Sequence, residues 1–558
     1  MEFATAVNVC WLGVAAALVW VCIGRSSDRQ ALLREYRSVG LVVVCAGVVT
    51  ILASTTSFFG LEYEDAFEYT YGAFALARHP ELAVSGTNPV CLVGTLAQCD
   101  TWGSLSHPIG FTQLVRQVSL VLGESIRLGQ RVSGALTGLS AVMLFVVGRR
   151  LGLGPQGAVL SSLFLLLTPS FFALGASGLA EPAGAFLVTT VLLCATTPVS
   201  NETSEPSARL SLAAGALAVA VTVFLAAGVK RENAILVFLL PLAFVPWLLR
   251  RSPRQALFRV RSLRAIVLGC LIAAIAVLAI GRDVLLNFEI VRPSNAPPFS
   301  MTNLVDLMPG YFGHLLGYQH YLALPFLTVL GFCRLKRLSG LWVPTALSIG
   351  YILMFCSFGQ SYYYQALREV PSFHFVRYTI QIAPCLALLA GGGVEMAIAA
   401  FAGSKQGTTR KRVVLFMIAA YFCVSTVFSW RLREAYSRDE ESVRIQPTLA
   451  ICNAVPTRSV LITAEPILAN LLCSDSFFLV DYEAVGKFLG DDGLGKLLDE
   501  RAVYVCERPS QGGVDPRRFP ESAHALDKTA KEQFFEWEKG DTWLRVVRLH
   551  PRLQKPRG

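Results

Sequence analysis

Val39–Tyr69 reads VGLVVVCAGVVTILASTTSFFGLEYEDAFEY, an apolar run to Gly60 followed directly by a knot of carboxylates at Glu62, Glu64, Asp65 and Glu68. A helix that crosses a bilayer needs about 20 apolar residues, and this run supplies them. Acids placed at the mouth of such a helix can take a proton from a hydroxyl, hold a divalent ion, or complement the helix dipole. Capping explains one or two acids; four are more than it needs.

The rest of the chain repeats the apolar theme. Of 558 residues, 53% are hydrophobic and only 16% charged, which excludes an ordinary soluble protein of this size and predicts a polytopic α-helical membrane protein. Roughly twelve spanning segments follow from the length criterion. They cover residues 5–24, 39–59, 131–148, 156–176, 180–196, 209–229, 233–249, 265–281, 320–333, 340–358, 377–398 and 413–430. Glu2 and the lack of a small-residue cleavage site make the first of them a retained helix and not a signal peptide.

Arginine and lysine concentrate in every second loop. Arg25, Arg29, Arg34 and Arg37 form one basic group; Arg149 and Arg150 a second; Arg250, Arg251, Arg254, Arg259, Arg261 and Arg264 a third. Arg334, Lys336 and Arg337, then Lys405, Arg410, Lys411 and Arg412, complete the series. Basic loops stay cytoplasmic, so both termini, the acid knot and everything after Trp430 are expected outside. The net charge of +10 is then a topology signal facing anionic headgroups, and nucleic acid is not an expected partner.

This reading divides the chain into a membrane module, residues 1–430, and an extracytoplasmic α/β domain, residues 431–558. Ser459–Thr463, Phe477–Val480 and Val503–Cys506 read as buried strands of that domain. In the large outer loop at 60–130, Phe111, Leu114, Val115, Val118, Val121 and Leu122 recur at helical spacing, with Thr112, Gln113, Arg116, Gln117 and Ser119 on the other face. That helix either lies along the membrane surface or spans it. Cys91 and Cys99 sit in the same loop, where a disulfide is chemically allowed, whereas the remaining cysteines read mostly as small core residues. Residues 282–319, with Pro293, Pro297 and Pro298, read as an irregular outer loop.

Ionisable residues at the hydrocarbon edge point to function, because the membrane makes them expensive. Besides the acid knot, three groups qualify. Glu181 precedes Pro182 at an outer helix start; Lys230-Arg-Glu232 is basic on the outer side, against the positive-inside trend; Arg377 with Tyr378 is basic there again. Arginine is suited to bidentate contact with phosphate. Outer carboxylates beside outer cations describe a site for transferring a group from an anionic, membrane-embedded donor.

The order of these motifs resembles that of GT-C glycosyltransferases, polytopic enzymes that use polyprenyl-phosphate sugars, over roughly residues 40 to 400. Glu64–Ala77 is similar to their acidic first outer loop, Ser106-His-Pro-Ile-Gly110 to a His-Pro-Pro type segment, and Gln130–Gly134 to the start of the next helix. Leu179–Pro182, Val229–Asn233 and Val376-Arg-Tyr378 with Pro384 resemble later motifs. The resemblance implies a transferase of the protein-mannosyltransferase or aminoarabinose-transferase kind in a bacterial inner membrane. Its donor would be a polyprenyl-phosphate sugar, its acceptor a glycan, lipid or protein, and its product an inverted hexosyl or pentosyl linkage.

Carried over, the resemblance makes Asp65 or Glu64 the general base. Lys230, Arg231 and Arg377 would neutralise the lipid phosphate, with Tyr378, Glu181, His107 and Tyr69 lining the substrate site. Glu64 and Asp65 are also the residues that a divalent metal would use; no other cofactor is implied. The Glu-Asp order departs from the family's Asp-Glu, and a second proline is missing after His107-Pro108, which leaves the base open between the two acids. The rival reading is a transporter or flippase for an anionic lipid or sugar. It predicts internal repeats and mid-bilayer charges, neither of which the sequence carries.

Overall fold

A computed structural model describes residues 2–23, 36–55, 65–78, 109–175, 177–197, 205–249, 256–280, 301–316, 324–333, 335, 339–357, 377, 379–402, 407–440, 445–463, 466–473, 478–481, 485, 494, 496, 498–499, 501–507, 524, 526, 529–539 and 542–550. Glu62, Glu64, Cys91, Cys99, His107 and Tyr378 lie outside the described residues.

Helices dominate up to Glu440. In chain order they are α1 (Glu2–Ile23), α2 (Tyr36–Thr55), α3 (Asp65–Arg78), α4 (Gly110–Leu122), α5 (Leu128–Leu151), α6 (Pro155–Leu167), α7 (Pro169–Leu174), α8 (Glu181–Thr196) and α9 (Glu205–Val229). Then come α10 (Leu236–Leu249), α11 (Ala256–Ile280), α12 (Met301–Leu316), α13 (Leu324–Phe332), α14 (Trp342–Ser357), α15 (Ala383–Ala402) and α16 (Gly407–Glu440). Each apolar segment read from the sequence carries a helix. Among the described residues, five stretches are long and apolar enough to cross a membrane: Leu128–Leu151, Ser211–Val229, Ser262–Ile280, Ile380–Ala400 and Arg412–Arg431.

The centre of the bundle is α8, buried over its whole length from Glu181 to Thr196. A helix that is apolar all round belongs inside, and α8 packs between α5 and α9. At its far end, Arg150 donates to the Leu193 carbonyl (3.1 Å) and the Thr197 hydroxyl (2.7 Å), placing a cation on the orphan carbonyls of the last turn. On the periphery, α11 exposes Val267, Leu268, Leu271 and Ile275, and α16 exposes Val413, Phe416, Met417 and Val427. Apolar surface of this extent is the outer face expected of a bundle solvated by lipid.

Two expectations are corrected. Residues 282–319 are not irregular throughout, because Met301–Leu316 forms α12 with Pro309 inside it; the three prolines that argued for irregularity precede this helix. α4 does not turn its polar face to water: Thr112, Gln113 and Ser119 are buried along with Phe111 and Val115 in this 13-residue helix. Some polar side chains of this helix find partners within the protein, while Gln113 Nε2 has none among the described residues. The Gln117 amide donates to Asn8 of α1 (2.8 Å), and the Ser119 hydroxyl to the Arg116 carbonyl (2.7 Å).

After α16 the chain builds a five-stranded sheet of order β2-β1-β3-β5-β4. β1 (Val460–Thr463) is parallel to β2 (Phe478–Asp481) and β3 (Val503–Glu507), while β5 (Thr542–His550) is antiparallel to β3 and to β4 (Ala530–Lys539). The three strands read from the sequence form the parallel half, with Val460, Leu461, Ile462, Val503 and Val505 all buried. α17 (Gln446–Ala454) and α18 (Pro466–Cys473) flank them, joined by a disulfide between Cys452 and Cys473. These two cysteines are therefore not inert core residues as the sequence reading had them. Closing a loop with a separation of 21 residues stabilises the fold by about 3 kcal/mol in the chain-entropy account.

The start of α4 meets the end of α9 at close range. A Cβ on Gly110 would run into the Gly228 carbonyl and the Val229 side chain, and the Gly110 carbonyl accepts a hydrogen bond from the Trp11 indole (2.9 Å). Overpacking such a contact costs about 1–3 kcal/mol. Gly110→Val is therefore expected to lower the thermal unfolding midpoint in detergent, whereas Leu120→Val, on the exposed side of the same helix, leaves it in place.

Candidate functional site

The site is built where helix ends meet. Glu181 is the first residue of α8, followed by Pro182, whose missing N–H costs nothing at that position. Its carboxylate does not cap the helix. Oε1 accepts the Lys230 ammonium at 2.8 Å and the Arg377 guanidinium Nε, so one buried oxygen gathers two cations from distant stretches of chain. Exposure is 0% for Glu181, 5% for Lys230 and 3% for Arg377, so water screens little of this interaction.

Local sequence explains each placement. Lys230 follows the last residue of α9 in an extended conformation (φ −144°, ψ 119°), which breaks the helix and turns the chain into a 3-10 turn over Arg231–Ile235. Arg377 stands just before the 3-10 turn Ile380–Ile382 that leads into α15, whose early Pro384 fits a first helical turn. Beneath the ion cluster, Gly184 leaves room: a Cβ there would meet the Asn233 amide nitrogen at 3.3 Å and the Gln381 and Lys230 Cγ atoms at 3.6 Å. Asn233 accepts from the Tyr351 hydroxyl (2.7 Å) and donates to the Ala226 carbonyl (3.1 Å).

Three polar atoms in this region have no hydrogen-bond partner among the described residues: Glu181 Oε2 and both amide heteroatoms of Gln381. Buried polar groups are almost always paired, so these atoms are free to bond a water or a polar group of another molecule. Asn233, Tyr351 and Gln381 escaped the sequence reading as site residues. Asn233 stands within Val229–Asn233, and Gln381 and Tyr351 are polar interruptions of apolar runs, which was the available signal.

The acid-bearing helix α3 begins beside this cluster. Gly178, at φ +82°, takes the left-handed conformation that glycine adopts without strain, and a Cβ on it would stand 3.7 Å from the Ala66 Cβ and 3.4 Å from the Gln130 backbone nitrogen. Thus the residue after Asp65 touches the loop three residues before Glu181. The Ser133 hydroxyl donates to Leu179 (3.2 Å) and Thr137 to Gly175 (2.7 Å), pinning the same loop to α5. Tyr69, buried on α3, packs edge-on against Phe111 at 5.5 Å and lies within electrostatic range of Arg231. Burial pushes the Arg231 guanidinium below its ordinary value, with Glu232 and Tyr69 opposing; it stays cationic at neutral pH.

Of the residues singled out in the sequence, Glu181, Lys230 and Arg377 form one cluster, and Tyr69 and Arg231 form a second beside α3. Asp65 is placed by its backbone as the first residue of α3. Among the described residues, no three His, Cys, Asp or Glu side chains converge as a metal site; Glu64 lies outside them.

Removing Glu181 would leave two buried cations facing each other, and breaking a buried pair costs about 3–5 kcal/mol. Glu181→Gln is expected to lower the unfolding midpoint sharply, and adding Arg377→Gln to recover part of that loss. Strictly additive losses in this double-mutant cycle would show that the two side chains do not interact.

No protein-family model matches the sequence, and no curated protein matches it. Solved structures do match in fold. ArnT from Cupriavidus metallidurans bound to undecaprenyl phosphate superposes with a TM-score of 0.54 at 13% identity, covering 91% of this chain and 97% of that one. The apo oligosaccharyltransferase of Archaeoglobus fulgidus gives 0.52 at 10% identity, over 89% of this chain and 73% of that one. The same archaeal enzyme, AglB, in complex with an inhibitory peptide and a dolichol-phosphate, gives 0.52 at 10% identity, over 91% and 74%. Both proteins are members of the GT-C superfamily, the one that the chain's motifs resemble, and the chain shares their fold.

Proposed function

We propose that this protein is an integral-membrane glycosyltransferase that moves a sugar from a polyprenyl-phosphate donor to an extracytoplasmic acceptor. The observation that carries the reading is the buried cluster of Glu181, Lys230 and Arg377 beside the helix that Asp65 opens. The fold adds support, since its neighbours are solved with undecaprenyl phosphate and dolichol-phosphate.

In this reaction an acceptor hydroxyl oxygen attacks the anomeric carbon. Asp65 or Glu64 takes its proton, the bond from that carbon to the phosphate oxygen breaks, and the polyprenyl phosphate leaves with the electron pair. One displacement inverts the anomeric centre. Fixed cations serve the departing phosphate because they need not reorganise as charge develops on it. Lys230 and Arg377 are prepositioned by Glu181, and Arg231 adds a third cation by the Tyr69 side; Tyr378 and His107 complete the proposed substrate contacts. The unpaired Gln381 amide suits sugar hydroxyls, which donate and accept. If a divalent ion takes part, Glu64 and Asp65 are the carboxylates to hold it.

Orientation is part of the proposal. The basic loops support an acid knot and residues 431–558 outside the cytoplasm, and the Cys452–Cys473 disulfide supports it too, because such bonds persist in oxidising compartments. A reporter fused after Glu440 should be active only outside; cytoplasmic activity would reverse the topology.

Purified protein in nanodiscs, given labelled polyprenyl-phosphate sugars and cell-envelope acceptors, tests the chemistry. Loss of the general base should reduce kcat by about 10²–10⁴-fold. One of Asp65→Asn and Glu64→Gln is expected to show that loss, and Arg231→Ala to raise the KM for the donor. Full transfer by both acid variants would refute the base assignment.

A further inference from the structure

α18 is a short helix serving two cores. Leu468, 2% exposed, belongs to the core of the membrane bundle together with Ala66, Tyr69 and Phe74 of α3, and Leu472 packs against it. Ala469 and Cys473 belong instead to the core of the sheet, with Leu461, Tyr504 and Val546. The pairs Leu468/Leu472 and Ala469/Cys473 each stand four residues apart, so they form two adjacent stripes, one for each core. Its bundle-side stripe packs against α3, the helix that Asp65 opens.

An eight-residue helix is not stable by itself in water, so α18 owes its order to what holds it. One holder is covalent. Cys473, in the last turn, is bonded to Cys452 of α17, and α17 packs through Ile451 into the same sheet core. A continuous path of contact therefore leads from the sheet through the disulfide to α18 and on to the helix that carries the proposed base.

We propose that α18 is a clamp on α3, that Leu468 and Leu472 are its positioning residues, and that the Cys452–Cys473 bond keeps the clamp set. This rests on the reading of α3 as the carrier of the base. Transfer would then require the oxidised protein. A dithiol reductant delivers two electrons and two protons, breaks the S–S bond to give two thiols, and is itself oxidised to a disulfide; α18 loses its covalent hold and α3 loses its register. Of the cations assigned to the phosphate, Lys230 follows α9 and Arg377 precedes α15, outside this path, while Arg231 lies near Tyr69 of α3, so donor affinity should fall less than turnover.

The test uses the full-length protein in nanodiscs, untreated, treated with dithiothreitol, and as the Cys452→Ser/Cys473→Ser variant. Amide hydrogen exchange over Asp65–Arg78 is expected to quicken on reduction and in the double variant, and the variant should no longer respond to dithiothreitol. kcat should fall on the order of 10²-fold, as a small misplacement of a reacting group produces, while polyprenyl phosphate binding weakens by less than about tenfold. Leu468→Ala should reproduce the effect with the disulfide intact, and Leu468→Met should restore it. Unchanged exchange over Asp65–Arg78, or a variant that still responds to dithiothreitol, would overturn the clamp. Should the untreated protein show no transfer at all, the transferase reading fails, and hydrogen exchange alone still decides whether α18 holds α3.

Discussion

A carboxylate at 0% exposure holding two cations is the constraint around which this molecule is arranged. Exposed salt bridges contribute about 0–1 kcal/mol and organise little. Here desolvation dominates, and a buried charge without a partner is the most costly defect the core could contain. Glu181 starts the central helix, Lys230 ends α9, and Arg377 precedes α15, so satisfying one carboxylate brings three distant parts of the chain to one point. Well-packed apolar side chains of similar volume would be as stable or more so, since buried ion pairs rarely outperform them. Their presence here is better understood as preorganised charge for an anionic ligand than as a source of stability.

The ends of α8 are electrically distinct. Glu181 complements the positive N-terminal end of the helix dipole, and Arg150 the negative C-terminal end. This polarity agrees with the basic loop at Arg149 and Arg150 and puts the candidate site at the opposite end. Near Glu181, close backbone approach does the positioning: Gly178 lets the loop lie on Ala66 and Gln130, and Gly110 lets α4 start against α9. Larger side chains at these places would push apart the elements that carry Lys230, Glu181 and Asp65.

Hydropathy made the helices legible, because a bilayer-spanning segment must be long and apolar whatever it packs against. That Glu181, Lys230, Arg231 and Arg377 come together at one end of the bundle was suggested by their sidedness. That Glu181 is the common partner of Lys230 and Arg377 was not, since the ion pair with Arg377 joins residues 196 apart and no local pattern encodes it. α4 misled because its polar residues suited a surface helix, yet they bond to α1 and within the helix itself. The hairpin of β4 and β5 went unseen for a related reason: Lys531, Glu532, Glu536 and Glu538 give β4 the charge of an exposed edge strand, which hides its pairing with β5. Cys452 and Cys473 looked like core cysteines because each flanks an apolar stretch, and only the fold brings their Cα atoms to 5.3 Å.

The two halves of the proposed reaction rest on mountings of different stiffness. Lys230 and Arg377 are anchored by the ends of α9 and α15, elements packed deep in the bundle, so the proposed phosphate site is mounted on buried elements. α3 is a 14-residue helix whose packing comes partly from α4 and α5 and partly from α18, which belongs as much to the sheet as to the bundle. A lipid donor always presents the same phosphate, so fixed cations suit it. An acceptor arrives from outside the bilayer, on the side where the sheet is expected, and its hydroxyl must be brought to a carboxylate whose position the sheet helps to set. On this proposal residues 431–558 act on the base through α3, so changes in that region should alter turnover and acceptor preference more than donor affinity.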